Sequence, residues 1–285
     1  MSETVAHQAS VRSAEAQSPS AVRIRQMLAV ARIELRKSFL SRRAIGLLIL
    51  ATLPLVQVLL VRFSPGYDPT QLSDATQGIS LLFQSFFLRF FLFLGSAIVF
   101  GNLVRREVLD RSLHYYFLTP LRRDLLVVAK YLTALAAMIV LFGTAMLATF
   151  LTAYLQYQGW RQFLFQGPGL GHLASYLLVT ALACVGYGAV FLLFGSYFKS
   201  PAIPTLAVMG WEGIHFLLPP LLKKISVIHY LQGLCPVPIS QGPLAILTDA
   251  PSPWVAIPGL LALAAVAVTL SARKVRTMEV SYEEE

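Results

Sequence analysis

Charge is scarce in this chain: of 285 residues only 13% are Asp, Glu, Lys or Arg, whereas 56% are apolar. A water-soluble globule of that composition would lack the polar skin its core requires, so a bilayer is the matching solvent. Cysteine is scarce too. Cys184 falls in an apolar run and Cys235 in a Pro-rich stretch; they offer neither metal-ligand spacing nor a disulfide framework, and lying in different environments they are not expected to pair. The apolar runs show no strict alternation, which argues against barrel strands and for helices, since only those two structures satisfy their backbone groups in hydrocarbon. A Gly-x4-Gly-Lys-[Ser/Thr] phosphate loop is missing, so the chain does not itself hold a nucleotide in that way. The apolar runs also hold too few carboxylates, histidines and nucleophiles for a membrane-embedded enzyme site.

What is present is a series of long apolar runs flanked by Lys and Arg. The formal charge of +9 is distributed beside those runs rather than along one soluble face, which excludes nucleic acid as the partner it serves and makes it a topology signal. Residues 1–21 are polar and rich in small side chains, and read as a disordered cytoplasmic tail. Over residues 22–41 helical spacing places Ile24, Met27, Leu28, Ala31, Leu35 and Phe39 opposite Arg25, Arg32, Arg36 and Lys37, the pattern of an interfacial amphipathic helix.

Residues 42–272 read as an all-α membrane domain of six spans: 44–61, 79–104, 125–157, 173–198, 204–218 and 253–272. The third is longer than a bilayer requires, so its Lys130 end should protrude. In the fourth, Gly186, Gly188 and Gly195 should let neighbouring helices come close. Residues 221–252 are cut by Pro236, Pro238 and Pro243, so they should form a broken external segment at or dipping into the surface. There His229 and Tyr230 either gate a pore exit or, the plainer reading, anchor at the interface, as do Tyr154, Tyr157 and Trp160 at the end of the third span. Lys and Arg crowd the ends at residues 23–43, 105–130, 199 and 273–276, which places both termini in the cytoplasm, with 273–285 a cytoplasmic tail.

Two groups of residues point to function. In the loop after the second span, Leu109, Leu113, Tyr116 and Phe117 recur at helical spacing among Arg105, Arg106, Glu107 and Arg111, and Pro120 ends the pattern. A short aromatic-bearing cytoplasmic helix of this kind suits docking to a partner. Within the apolar runs, Arg89 and Glu212 both count to mid-membrane depth, where an unpaired charge costs at least about 2.5 kcal/mol. Either they form a structural ion pair, or one of them lines a polar pathway with His215 one turn away. The aromatic cluster Phe83, Phe86, Phe87, Phe90, Phe91 and Phe93 surrounds its helix on all sides, which suits contact with both lipid and core.

The loop resembles that of the permease subunits of type-2 ABC transporters, matching at Glu107, Ser112-Leu113, Pro120, Arg123 and Lys130 and departing at Arg111, where the family usually has Gly. The layout of an amphipathic elbow helix, six spans and a broken segment before the sixth is similar as well. The resemblance implies a coupling helix at about 107–120 in which Glu107, Leu113, Tyr116, Phe117, Pro120 and Arg123 engage a separate ABC-type ATP-binding subunit. It further implies ATP and Mg on that partner and no cofactor here, a second permease subunit, identical or not, and residence in the cell inner (cytoplasmic) membrane, commonly as an exporter. The competing reading is an ion-coupled secondary transporter using Arg89, Glu212 and His215, for which an inverted repeat would be expected; none is seen in the sequence.

Overall fold

A computed structural model describes residues 42–63, 72–103, 123–155, 157, 159–198, 200, 202–214, 219–237 and 251–277. The amphipathic helix expected at 22–41, the coupling helix expected at 107–120 and His215 lie outside the described residues. The described elements are helical: α1 (Arg42–Arg62), α2 (Leu72–Leu81) running through a π-wound segment (Leu82–Leu92) into α3 (Phe93–Phe100), α4 (Arg123–Tyr154), α5 (Trp160–Phe165), α6 (Gly169–Tyr197), α7 (Ala202–Gly213), α8 (Pro220–Lys223), α9 (Val227–Gln232) and α10 (Pro253–Arg276).

Five helices are long and apolar enough to cross a bilayer: Ala44–Val61, Ala75–Phe100, Leu126–Tyr154, Gly169–Tyr197 and Pro253–Arg276. The first coincides with the expected span, and the others shift by a few residues. The expected fifth span is represented by α7, whose 12 residues fall short of the roughly 20 that a bilayer crossing takes. Its last expected residues, 215–218, lie outside the described ones.

The long helices do not share burial equally. In α6, 61% of the most apolar stretch is enclosed by the rest of the chain, against 22% in α1. Accordingly α6 is the hub, packed by α10, α4, α3 and α9, while α1 leans mainly on α4 and presents Ile45, Ile49 and Leu60 outward. Helices in lipid gain little from burying apolar groups against one another, so close backbone approach and dispersion must hold such a bundle. The glycines of α6 supply that approach. A Cβ on Gly195 would strike the carbonyl oxygen of Gly101, one on Gly188 would lie 2.9 Å from the Phe100 ring, and one on Gly186 would lie 2.8 Å from both Leu260 and Val227.

Aromatic contacts fill the remaining space. Phe83 meets Tyr176 edge-on at 4.7 Å, Phe87 meets Phe142 at 6.0 Å, and Phe93 contacts both Tyr187 and Phe191 at 5.4 and 5.0 Å. Phe86 and Phe90 face outward, so the phenylalanine cluster divides between core and surroundings as its all-round distribution implies. The π winding sets this division. Phe83, Phe87, Leu88 and Leu92 recur at steps of four and five, the repeat of an i→i+5 helix, and all are buried.

Two expectations require correction. Tyr154 and Tyr157 are core residues rather than an outward belt: Tyr154 stacks on Phe163 at 4.7 Å and donates its hydroxyl to Thr76 Oγ1 at 3.2 Å. Tyr230 is likewise buried, its ring against Gly259 of α10. Lys130, near the start of α4, is 2% exposed and engaged within the chain. In each case a long amphipathic side chain that would suit the interface is covered by a neighbouring element. The cysteines behave as expected: Cys184 is buried in α6, Cys235 is half-buried beyond α9, and both are free.

Candidate functional site

The most polar buried site joins the end of α7 to the start of α9. Pro219 opens α8, and Ser226 then takes extended backbone angles (φ −80, ψ 131) as the residue before α9, the conformation of an N-cap. Its hydroxyl does not cap its own helix. Instead Glu212 reaches in from α7 and does so. The Glu212 carboxylate accepts Ser226 Oγ–H at 2.6 Å and the Ile228 N–H at 3.2 Å on one oxygen, and the Val227 N–H at 2.9 Å on the other. Two of the helix's orphan amides are thereby satisfied by a side chain from another element. Hydrogen bonds to a charged acceptor are among the stronger ones, at roughly 1.5–3 kcal/mol each, and an apolar setting makes their loss costlier still.

Around this carboxylate the packing is tight. Val227, Ile228 and Leu231 have no more than 1% of their surface exposed. Tyr230 Oη–H donates to the Lys224 carbonyl at 2.8 Å and closes the turn that brings Ser226 beneath Glu212. Cys235, past the end of α9, has its thiol pushed up to about 12 by burial. The far end of the segment is held by the second long helix: Ser80 Oγ–H and Gln84 Nε2–H both donate to the Val237 carbonyl, at 2.6 and 2.9 Å, and Gln84 also donates to Ser80 Oγ at 2.9 Å.

Of the predicted intramembrane residues, Arg89 is half-buried on the π-wound segment and Glu212 is buried at the end of α7. Tyr187 of α6 buries a hydroxyl that finds no hydrogen-bond partner among the described residues. Of the loop residues, Glu107, Leu113, Tyr116, Phe117 and Pro120 lie outside the described residues, and Arg123 is the first residue of α4.

Sequence reasoning singled out Glu212 but not its donors. Ser226 before the apolar turn Val227–Leu231 is a legible N-cap signal, and Ser80 with Gln84 is a polar pair at i, i+4 on one face of an apolar helix. What they bind was hidden, because Val237 is 157 residues from Ser80.

Compared with known proteins, residues 32–209 match the family model described as ABC-2 family transporter protein. No curated protein and no solved structure matches. The matched stretch takes in the first four long helices, Arg89 and the loop at 104–122, and stops just before Glu212. It covers well over half of the chain, which, with its five membrane-length helices, is therefore a multi-pass membrane protein of the ABC-2 transporter family.

Proposed function

We propose that this chain is the membrane-spanning permease subunit of an ATP-driven ABC transporter, working as an exporter in the cytoplasmic membrane beside a second permease subunit. ATP and Mg are held by a separate ATP-binding chain, which engages the loop between the second and third long helices through Glu107, Leu113, Tyr116, Phe117, Pro120 and Arg123. The observation that carries this reading is the family match, which runs unbroken through that loop and the helices on both sides of it. The absence of a phosphate loop in the sequence agrees with ATP hydrolysis on another chain. On this reading both termini and the loop face the cytoplasm, and α8 and α9 lie toward the outer side.

The ion-coupled alternative depends on Glu212 exchanging a proton or cation. Three donors of the chain itself occupy that carboxylate, which favours a structural use. The two readings separate by copurification and reconstitution. An ABC-type ATPase should copurify in stoichiometric amount, and substrate movement into or out of vesicles should require ATP. Transport by this polypeptide alone under a proton or sodium gradient would reject the proposal.

A further inference from the structure

The two polar ties at the ends of the α9 segment have a joint mechanical meaning. At one end Glu212 of α7 holds Ser226, Val227 and Ile228; at the other, Ser80 and Gln84 of the second long helix hold Val237. Between them Val227, Ile228 and Leu231 are buried, and Tyr230 rests on Gly259 of α10. Apart from Pro204 and Val208, which pack on the bundle, and Thr205, which is engaged within the chain, α7 has little buried surface among the described residues. Pro204 and Glu212 are its buried residues, while Ile203 and Leu206 are 68% and 64% exposed. A helix with so little packed surface depends on its few polar anchors to keep its position.

We propose that residues 226–237 form a strap tying α7 to the second long helix, with Glu212 as the latch at one end and the Ser80–Gln84 pair as the anchor at the other. Displacement of α7 from the bundle then requires the latch to open or the whole segment to travel with it. Glu212 is accordingly a positioning residue, acting through backbone amides rather than on a transported molecule. The strap does not depend on the transported substrate or on the ATPase assignment, so its failure would leave the transporter reading intact.

The test is amide hydrogen exchange of the full chain in lipid nanodiscs, read separately over 203–213, 227–231 and 233–237. In Glu212→Ala the amides of 227–228 lose their acceptor, and the strap requires that those of 203–213 accelerate as well, by about tenfold or more. Ser226→Ala removes one of the three bonds without touching α7 and should accelerate the same two stretches by a smaller factor, so it decides the matter if Glu212→Ala fails to insert. Gln84→Leu should accelerate 233–237 and leave 203–213 unchanged while the latch is closed. Faster exchange confined to 227–231, with 203–213 unchanged in both latch variants, would overturn the proposal and reduce Glu212 to a local cap. Unchanged exchange everywhere would overturn it too.

Discussion

Three glycine-to-alanine changes test whether backbone approach, rather than side-chain burial, holds this bundle together. Alanine in place of glycine favours a helix interior by about 0.8–1 kcal/mol, and overpacking a filled site costs typically about 1–3 kcal/mol. At Gly143 of α4 an added Cβ meets nothing within 4 Å, so Gly143→Ala should be neutral or stabilising by up to about 1 kcal/mol. At Gly188 the obstacle is the Phe100 ring, 2.9 Å away, itself buried and tilted against Tyr131 at 5.5 Å. That ring has to shift within a filled core, so Gly188→Ala should fall between the other two. At Gly195 the obstacle is the backbone of Gly101, with its carbonyl carbon 2.9 Å and its Cα 3.1 Å from the added atom. Main chain cannot swing aside, so α6 must move off the end of α3, and Gly195→Ala should fall at or beyond the top of the overpacking range, a net loss of about 2 kcal/mol or more. The assay is thermal denaturation of the purified protein in detergent, followed by the fraction remaining monodisperse. A Gly195→Ala variant as stable as Gly143→Ala would refute the argument that α6 is held by main-chain contact.

Other outcomes follow from single contacts. Tyr131 Oη–H donates to the Val185 carbonyl at 2.9 Å across α4 and α6, so Tyr131→Phe should cost about 0.6 kcal/mol, the typical worth of an interhelical hydrogen bond in a membrane; a loss above about 2 kcal/mol would mean the hydroxyl has a further task. Arg89 and Glu212 both count to mid-membrane depth, so a double-mutant cycle of Arg89→Leu and Glu212→Leu should give a coupling of about 0.5–1 kcal/mol in unfolding, and strict additivity would show that the two charges do not sense each other. Tyr116→Ala with Phe117→Ala should leave membrane insertion unchanged while weakening pull-down of the ATP-binding subunit and transport together. Full ATPase binding by that variant would make the loop a plain charged connector.

The sequence showed the long helices because their signal is local: a run such as Ala44–Val61 carries its length and its flanking arginines with it. Pro253 at the start of α10 and Gly186, Gly188 and Gly195 in α6 were legible for the same reason, each being a residue whose chemistry admits few uses. The π winding of Leu82–Leu92 was not legible, since phenylalanines on every side erase the periodicity by which helix types are told apart. Nor could depth counting show which groups the Glu212 carboxylate binds. Its amide donors on Val227 and Ile228 are backbone groups, which every residue carries, and only the fold chooses among them. Tyr154 and Tyr230 went astray for a related reason. Tyrosine suits both an interface and a core, and the neighbours that decide, Phe163 and Gly259, are brought in by the fold.

The contact between Gly195 and Gly101 also bears on how force would pass through the molecule. Gly101 lies three residues before the stretch 104–122, and Gly195 lies seven residues before the first residue of α7. Side chains in contact can absorb a small displacement by changing rotamer, and so they act as soft springs; two main chains in direct contact have no such compliance. A displacement of the second long helix at Gly101 would therefore be met at α6 by main chain rather than by a side chain that can swing aside. Stiffness at that junction means that a single added methyl group there is felt by both helices at once.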